Sequence, residues 1–216
     1  MSTQPVAAAL LCAVLSSSAW AQAPNHPNLN AQLLVAARQG DRASVAALLQ
    51  QGAAVDSRNR FGRTPLYMAS EKGQAELAEV LLKAGANANL ASVERGTPLM
   101  AASFGGHAPI VRILLDAGAQ TGALDRVEKP AIVYAAGQGH SEVLRLLLDS
   151  GVPVDAAYAN RLTVLMWAAG QGHADAVRLL LARGARTDLR DDRGLTALDM
   201  ARVGGHAVAV ALLTSP

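Results

Sequence analysis

The chain repeats itself every 33 residues along almost its whole length. One series of glycines keeps this step from residue 40 to residue 205, and a second series keeps it from residue 52 to residue 184. Pairs of leucines follow the same spacing, and so do four of the five histidines, which are His107, His140, His173 and His206. Independent series in one register are typical of stacked structural units, none of which can bury its apolar side alone.

Residues 96–118 show how one unit is built. Thr97 is a typical helix N-cap, and Pro98 suits the first helical position. A second helix is predicted after His107, with apolar residues at 110, 111, 113, 114 and 115 forming one stripe. Gly118 suits the left-handed conformation that often ends a helix. We therefore predict an all-α solenoid of paired short helices joined by extended turns.

Composition supports a helical stack and excludes several classes of protein. Apolar residues make up 51% of the 216 residues and aromatic residues only 3%, so the core must consist mainly of Ala, Leu and Val. The net charge of +2 is small for a nucleic-acid-binding protein of this size, and we expect no nucleic-acid partner. No apolar run reaches the roughly 18 residues of a transmembrane helix.

The first 21 residues have the pattern of a secretory signal peptide. An uncharged apolar run over residues 6–15 precedes a serine run and the small-x-small site Ala19-Trp20-Ala21. The run lacks a preceding Lys or Arg, so an apolar N-terminal helix of the folded domain is the alternative. With cleavage after Ala21 the remaining chain contains no cysteine, and we expect a periplasmic or secreted protein.

Each first helix opens with a related segment of six residues. The strongest copies are Thr64-Pro65-Leu66-Tyr67-Met68-Ala69 and Thr97-Pro98-Leu99-Met100-Ala101-Ala102, and weaker copies begin at Pro130, Thr163 and Thr196. Together with the period, these segments resemble the ankyrin repeat family, whose signature is Thr-Pro-Leu-His-x-Ala. The resemblance covers about residues 29–214 and implies a non-enzymatic scaffold that binds protein partners on a concave surface.

The chain departs from the family pattern at two places. The signature histidine, which in the family supports hydrogen bonds between neighbouring turns, is replaced in every unit, by Tyr67, Met100, Val133, Met166 and Asp199. The unit that begins its first helix near residue 130 also lacks the capping threonine. We therefore expect weaker support between turns, and the softest point of the stack near Pro130.

The period divides the chain into a leader, a flexible lead-in and one repeat domain. The predicted boundaries are 1–21 for the signal peptide, 22–28 for the lead-in and 29–216 for the domain. Within the domain we predict a cap at 29–60, repeats at 61–93, 94–126, 127–159 and 160–192, and a C-terminal unit at 193–216.

No catalytic, cofactor or metal site is predicted. Histidines in successive units should lie about 10 Å apart, too far to share one metal ion. We expect each of them to bond nearby backbone instead. The residues after position 21 include no cysteine, and nothing resembles a nucleophile triad or an acid/base pair.

The resemblance places the binding surface on the turn tips and on the exposed side of the first helices. The two phenylalanines of the chain fall at such positions, and aromatic residues are enriched in interface anchors. The predicted protein-binding residues are Arg60, Phe61, Arg63, Phe104, Arg126, Lys129, Tyr158 and Arg161. We expect the apolar residues at one signature position, Met68, Tyr134, Trp167 and Met200, to serve packing.

Three functions are compatible with these features. The first is a protein-binding scaffold or regulator of the periplasm or cell envelope. The second is a periplasmic enzyme or small-ligand-binding protein built on the same repeats, and the third is a cytosolic regulator whose N-terminus is not a leader.

Val208 and Ala211 replace the charged residues of earlier units, so the C-terminal end is expected either to fray or to dock on a partner or a second copy.

Overall fold

The computed structural model describes residues 27–214. The predicted signal peptide and most of the predicted lead-in lie outside these residues, while Pro27 and Asn28 already belong to the first helix. No helix in the described range is long and apolar enough to cross a membrane.

Twelve α-helices follow one another in this range, and it contains no β-strand. They are α1 (Pro27–Gln39), α2 (Arg42–Gln50), α3 (Pro65–Glu71), α4 (Ala75–Lys83), α5 (Pro98–Phe104), α6 (Ala108–Asp116), α7 (Ala131–Gly137), α8 (Ser141–Asp149), α9 (Val164–Gly170), α10 (Ala174–Ala182), α11 (Ala197–Val203) and α12 (Ala207–Thr214). A short 3₁₀ turn, Ala159–Arg161, lies before α9. The predicted all-helical architecture is confirmed.

The helices stack in two layers. Each odd-numbered helix contacts the next odd-numbered one, and each even-numbered helix contacts the next even-numbered one. The core lies between the layers and consists of Ala, Leu, Val, Ile and Met side chains, such as Leu99, Ile110 and Leu114. No aromatic side chain of residues 27–214 is fully buried, which agrees with the core expected from composition.

Local residue types explain where the first helices begin. The side-chain oxygen of Thr97 accepts a hydrogen bond from the backbone N–H of Met100 at 3.3 Å, and Thr64, Thr163 and Thr196 cap their helices in the same way. Such a cap satisfies one of the N–H groups that a helix start leaves unpaired. Pro130 supplies no side-chain cap to α7, as its sequence implies.

Four histidines outside the signature position form hydrogen bonds between neighbouring units. His107, His140, His173 and His206 directly precede even-numbered helices, and each ring Nε2 lies 2.9–3.3 Å from a backbone carbonyl oxygen of the preceding unit. The expectation that these histidines bond backbone is confirmed, and the bonds join neighbouring units. The stack is therefore not left without histidine support.

Candidate protein-binding surface

The turns between units end in five tips spaced 33 residues apart, from residues 59–62 to residues 191–194. In three of them, which begin at Asn59, Asp125 and Asp191, the first side chain organises the turn. The carboxylate of Asp125 accepts hydrogen bonds at 2.9 Å from the backbone N–H groups of Val127 and Lys129. Asn59 does the same for Phe61 and Arg63, at 2.9 and 3.1 Å. The side chains of these tips are thereby held in defined places.

Backbone hydrogen bonds join most neighbouring tips. The N–H of Val93 donates to the carbonyl of Phe61 at 2.9 Å, and Arg126 donates to Glu94 at 3.2 Å. Asp192 donates to Asn160 at 3.1 Å, but no equivalent bond joins residues 127 and 159 in the described chain. The interruption lies in the unit whose first helix lacks a threonine cap. The tips and the C-terminal ends of the odd-numbered helices form one surface, here called the inner face.

The inner face contains a groove of about 460 Å³, called groove A. Its apolar walls include Tyr67, Met100, Phe104 and Tyr134, which come from three successive units. The rings of Phe104 and Tyr134 meet edge to face, with centroids 5.9 Å apart. This geometry is a favourable one for aromatic pairs, so the wall that these rings form is a stable one.

Most of the charged groups around groove A are paired with one another. Arg63 lies 2.8 Å from the Glu71 carboxylate, and its guanidinium carbon lies 5.0 Å from the ring centroid of Tyr67. Arg126 lies 2.9 Å from both carboxylate oxygens of Glu94. Asp125 also lines the groove, and in the described chain it forms no ion pair but accepts hydrogen bonds from backbone N–H groups and from Tyr134.

The hydroxyl of Tyr134 in groove A has a strongly raised pKa. Its hydroxyl donates a short hydrogen bond to Asp125, whose carboxylate is buried. Burial, and then the hydrogen bond to Asp125 and its negative charge, raise the pKa of Tyr134 well above the usual value for tyrosine. Burial also raises the pKa of Tyr67. Both phenols therefore remain neutral, and the groove keeps its aromatic character, across the physiological pH range.

A second depression, groove B, adjoins groove A and has a volume of about 230 Å³. Phe104 and Tyr134 line both grooves, whereas Lys129 and Trp167 line groove B but not groove A. The ammonium nitrogen of Lys129 lies 4.3 Å from the centroid of the Trp167 ring system, a cation–π geometry. The Lys129 ammonium group therefore lies at the wall of groove B, beside aromatic rings.

The structure brings some of the predicted site residues together and separates others. Arg63, Phe104 and Lys129 line the two grooves, and Arg126 holds Glu94 at the edge of groove A. Arg60 lies over the exposed ring of Phe61, with 4.7 Å between the guanidinium carbon and the ring centroid. These two residues belong to the tip at residues 59–62 and line neither groove.

Tyr158 and Arg161 stand apart from both grooves. Tyr158 is half-buried and packs against the hydrophobic core. Arg161 is exposed, with φ of 57° on the fourth tip, and it lines neither groove.

Sequence reasoning assigned three groove residues to packing or left them out. The packing role is confirmed, because Met68 is buried and Tyr134, Trp167 and Met200 are half-buried and pack against the core. Tyr134 and Trp167 also present their rings to the grooves. Met200 lines a further depression near the last unit. Tyr67 was not included among the binding residues, although its place in the signature histidine position was visible in the sequence. The recurrence of aromatic residues at neighbouring positions of successive units was the signal that could have identified them.

The described residues contain no group of three or more histidine, cysteine, aspartate or glutamate side chains that could hold a metal ion.

The family model described as ankyrin repeats in three copies matches residues 33–125 and 132–216. No curated protein matches the chain. Ankyrin repeats generally mediate protein–protein interactions, and proteins built from them are typically non-enzymatic scaffolds. With a match over most of its length, and with the helix pairs that such repeats form, the chain belongs to the ankyrin repeat family.

Proposed function

We propose that this protein is a non-enzymatic scaffold or regulator of the periplasm or cell envelope that holds a protein partner on its inner face. The observation that carries the binding role is the placement of its aromatic side chains. Phe61 and Phe104 are 52% and 54% exposed, and Tyr67, Tyr134 and Trp167 line the grooves. In a chain so poor in aromatic residues, rings on one surface favour an interface, where aromatic side chains act as anchors.

The binding role can be tested by cross-linking in the native compartment, with wild-type protein and with the double variant Phe61→Ala and Phe104→Ala. If both rings are buried by the partner, the variant should lose more than about 2 kcal/mol of binding free energy. Its helical content should not change, because both rings are outside the core. Val35→Ala is the control, since it truncates an exposed apolar side chain of α1 that lines neither groove. Equal capture by the double variant would exclude the inner face as the interface.

The proposed location follows from the N-terminal segment. The apolar run over residues 6–15 and the Ala19-Trp20-Ala21 site favour export with cleavage after Ala21. The mass of the protein purified from its native source should then correspond to a chain that begins at Gln22. Recovery of protein with intact Met1 from the soluble cytosol would contradict both the cleavage and the location.

A further inference from the structure

Grooves A and B adjoin and differ in chemical character. Groove A is lined by residues 63–134 and groove B by residues 104–171, so they are displaced by about one unit along the stack. Phe104 and Tyr134 form the wall between them. A ligand that crosses this wall would meet both grooves in succession.

Groove A suits a large apolar side chain. Three aromatic rings and Met100 supply its apolar walls, and its volume of about 460 Å³ is ample for an aromatic side chain. Its three carboxylates already have partners: Glu71 pairs with Arg63, Glu94 pairs with Arg126, and the buried Asp125 accepts hydrogen bonds from Tyr134 and from backbone N–H groups. An additional cation would therefore compete with these partners, whereas an apolar group would bury surface without breaking either ion pair.

Groove B suits an anionic group. Within residues 27–214, no carboxylate forms an ion pair with Lys129, whose ammonium group lies over Trp167. The amide side chains of Gln138 and Gln171 also line this groove and can donate hydrogen bonds. A carboxylate placed here would gain a cation and polar donors.

The charges of the surrounding tips also favour a negatively charged partner. In the described part of the chain, Arg60, Arg95 and Arg161 form no ion pair, whereas the exposed tip acids without one are Glu128 and Asp192. The excess of unpaired cations, together with Lys129, is complementary to an acidic partner. Complementary charge guides encounter and selects among partners.

We propose that the two grooves bind an extended acidic peptide segment of the partner, with a large apolar side chain in groove A and a carboxylate beside Lys129 in groove B. Stacked helices lie about 8–10 Å apart, and an extended chain rises about 3.3 Å per residue. The apolar residue and the acidic residue should therefore be two or three positions apart. This inference rests on the proposed function and specifies the chemistry of the partner.

A displayed library of random peptides, selected on the immobilised full-length protein, tests the inference directly. We expect enriched peptides to carry Phe, Trp, Leu or Met two or three residues from Asp or Glu. The best enriched peptide is then synthesised with a fluorescent label and its dissociation constant is measured by anisotropy. Enrichment of basic peptides, or no enrichment, would overturn the inference.

Variants of the protein assign the two contacts. Lys129→Glu should raise the dissociation constant of the labelled peptide by about tenfold or more, as expected for loss of a charged contact. Lys129→Arg keeps the charge and should retain most of the affinity. Lys83→Glu makes the same charge change in α4, away from both grooves, and should have little effect. A peptide in which Lys replaces the acidic residue should bind the Lys129→Glu protein more tightly than it binds the wild type. Phe104→Ala should weaken the binding of both the acidic peptide and its Lys-substituted form.

The outcomes separate this inference from the proposed function. If cross-linking depends on Phe61 and Phe104 but Lys129→Glu and Lys129→Gln bind the peptide as tightly as wild type, the inner face binds protein and the acidic segment is wrong. If cross-linking does not depend on the two phenylalanines, the binding role of the inner face fails, whatever the peptides show.

Discussion

The ring Nε2 of His140 lies 2.9 Å from the backbone carbonyl oxygen of Phe104, a residue of the preceding unit. Because a carbonyl can only accept a hydrogen bond, this nitrogen must carry the hydrogen. The contact fixes the end of α5, from which the Phe104 side chain reaches the grooves. One bond therefore connects the stacking of units with the position of a proposed binding residue.

Removing this bond should destabilise the stack. For His140→Ala we expect a decrease of about 1 kcal/mol in the free energy of unfolding, the usual contribution of one hydrogen bond. Urea denaturation monitored by circular dichroism measures this change. Gln138→Ala, two residues away and exposed, is the control and should change stability by less than about 0.5 kcal/mol. The same loss in both variants would show that the contact has no particular role.

Gly118 should resist substitution for a purely local reason. Its φ is +78°, and a Cβ added to it would meet no atom within 4 Å. Gly118→Val should cost roughly 1–3 kcal/mol, because a β-branched residue is strained in the left-handed region. Gly118→Asn should recover much of this loss, since asparagine tolerates that region. Thermal denaturation compares the two, and equal melting temperatures would contradict the backbone explanation.

Gly105 provides a contrasting position in the same unit. Its φ is −80°, and the equivalent residues Lys72, Gln138 and Gln171 carry side chains. A Cβ at Gly105 would nevertheless collide with the His107 imidazole, so the ring must turn and give up its hydrogen bond to the Glu71 carbonyl. Gly105→Gln should therefore lower the melting temperature less than Gly118→Val, because a side chain can move where a backbone dihedral cannot.

The uncapped start of α7 should be open to stabilisation by a pair of substitutions. In α5, Thr97 caps Met100, and the N–H of Thr97 lies 3.5 Å from the Met100 sulfur. Pro130→Thr together with Val133→Met reproduces this pair, and we expect a gain of about 1 kcal/mol. Pro130→Thr alone should gain less, because valine cannot accept the amide hydrogen that threonine introduces. Denaturant unfolding of the three proteins tests this order, and a single variant as stable as the double variant would contradict it.

The last helix should gain from the charges that earlier units carry. Arg178 lies 2.5 Å from Asp175 in α10, whereas Val208 and Ala211 occupy the equivalent positions of α12. Val208→Glu with Ala211→Arg should add about 0.2–0.5 kcal/mol through the same i,i+3 pair. Thermal denaturation measures the gain, and a lower melting temperature would contradict it.

Light scattering over a concentration series distinguishes the two roles proposed for this C-terminal face. Val208 is 59% exposed, and a large exposed apolar surface favours association. If the face docks on a second copy, the mass of the wild type rises with concentration and that of the double variant does not. A concentration-independent mass for both proteins would exclude docking on a second copy.

Much of the architecture depends on interactions between residues close together in the chain. The threonine cap of α5 joins Thr97 to Met100, and the left-handed conformation of Gly118 is a property of one residue. Such features repeat with the 33-residue period, which is why sequence alone determined the helix pairs, their order and the glycines that end them. The core of mainly Ala, Leu and Val followed from the composition, because aromatic residues make up only 3% of the chain.

The grooves required the tertiary structure because their walls come from different units. Tyr67, Phe104 and Tyr134 meet only after stacking brings residues about 30 positions apart to one surface. The pairing of Lys129 with Trp167 likewise depends on how far one unit is turned against the next. Periodicity specifies that units stack, but the rotation between them arises from the packing of side chains across each interface. That rotation decided which rings cover the core and which remain available to a partner.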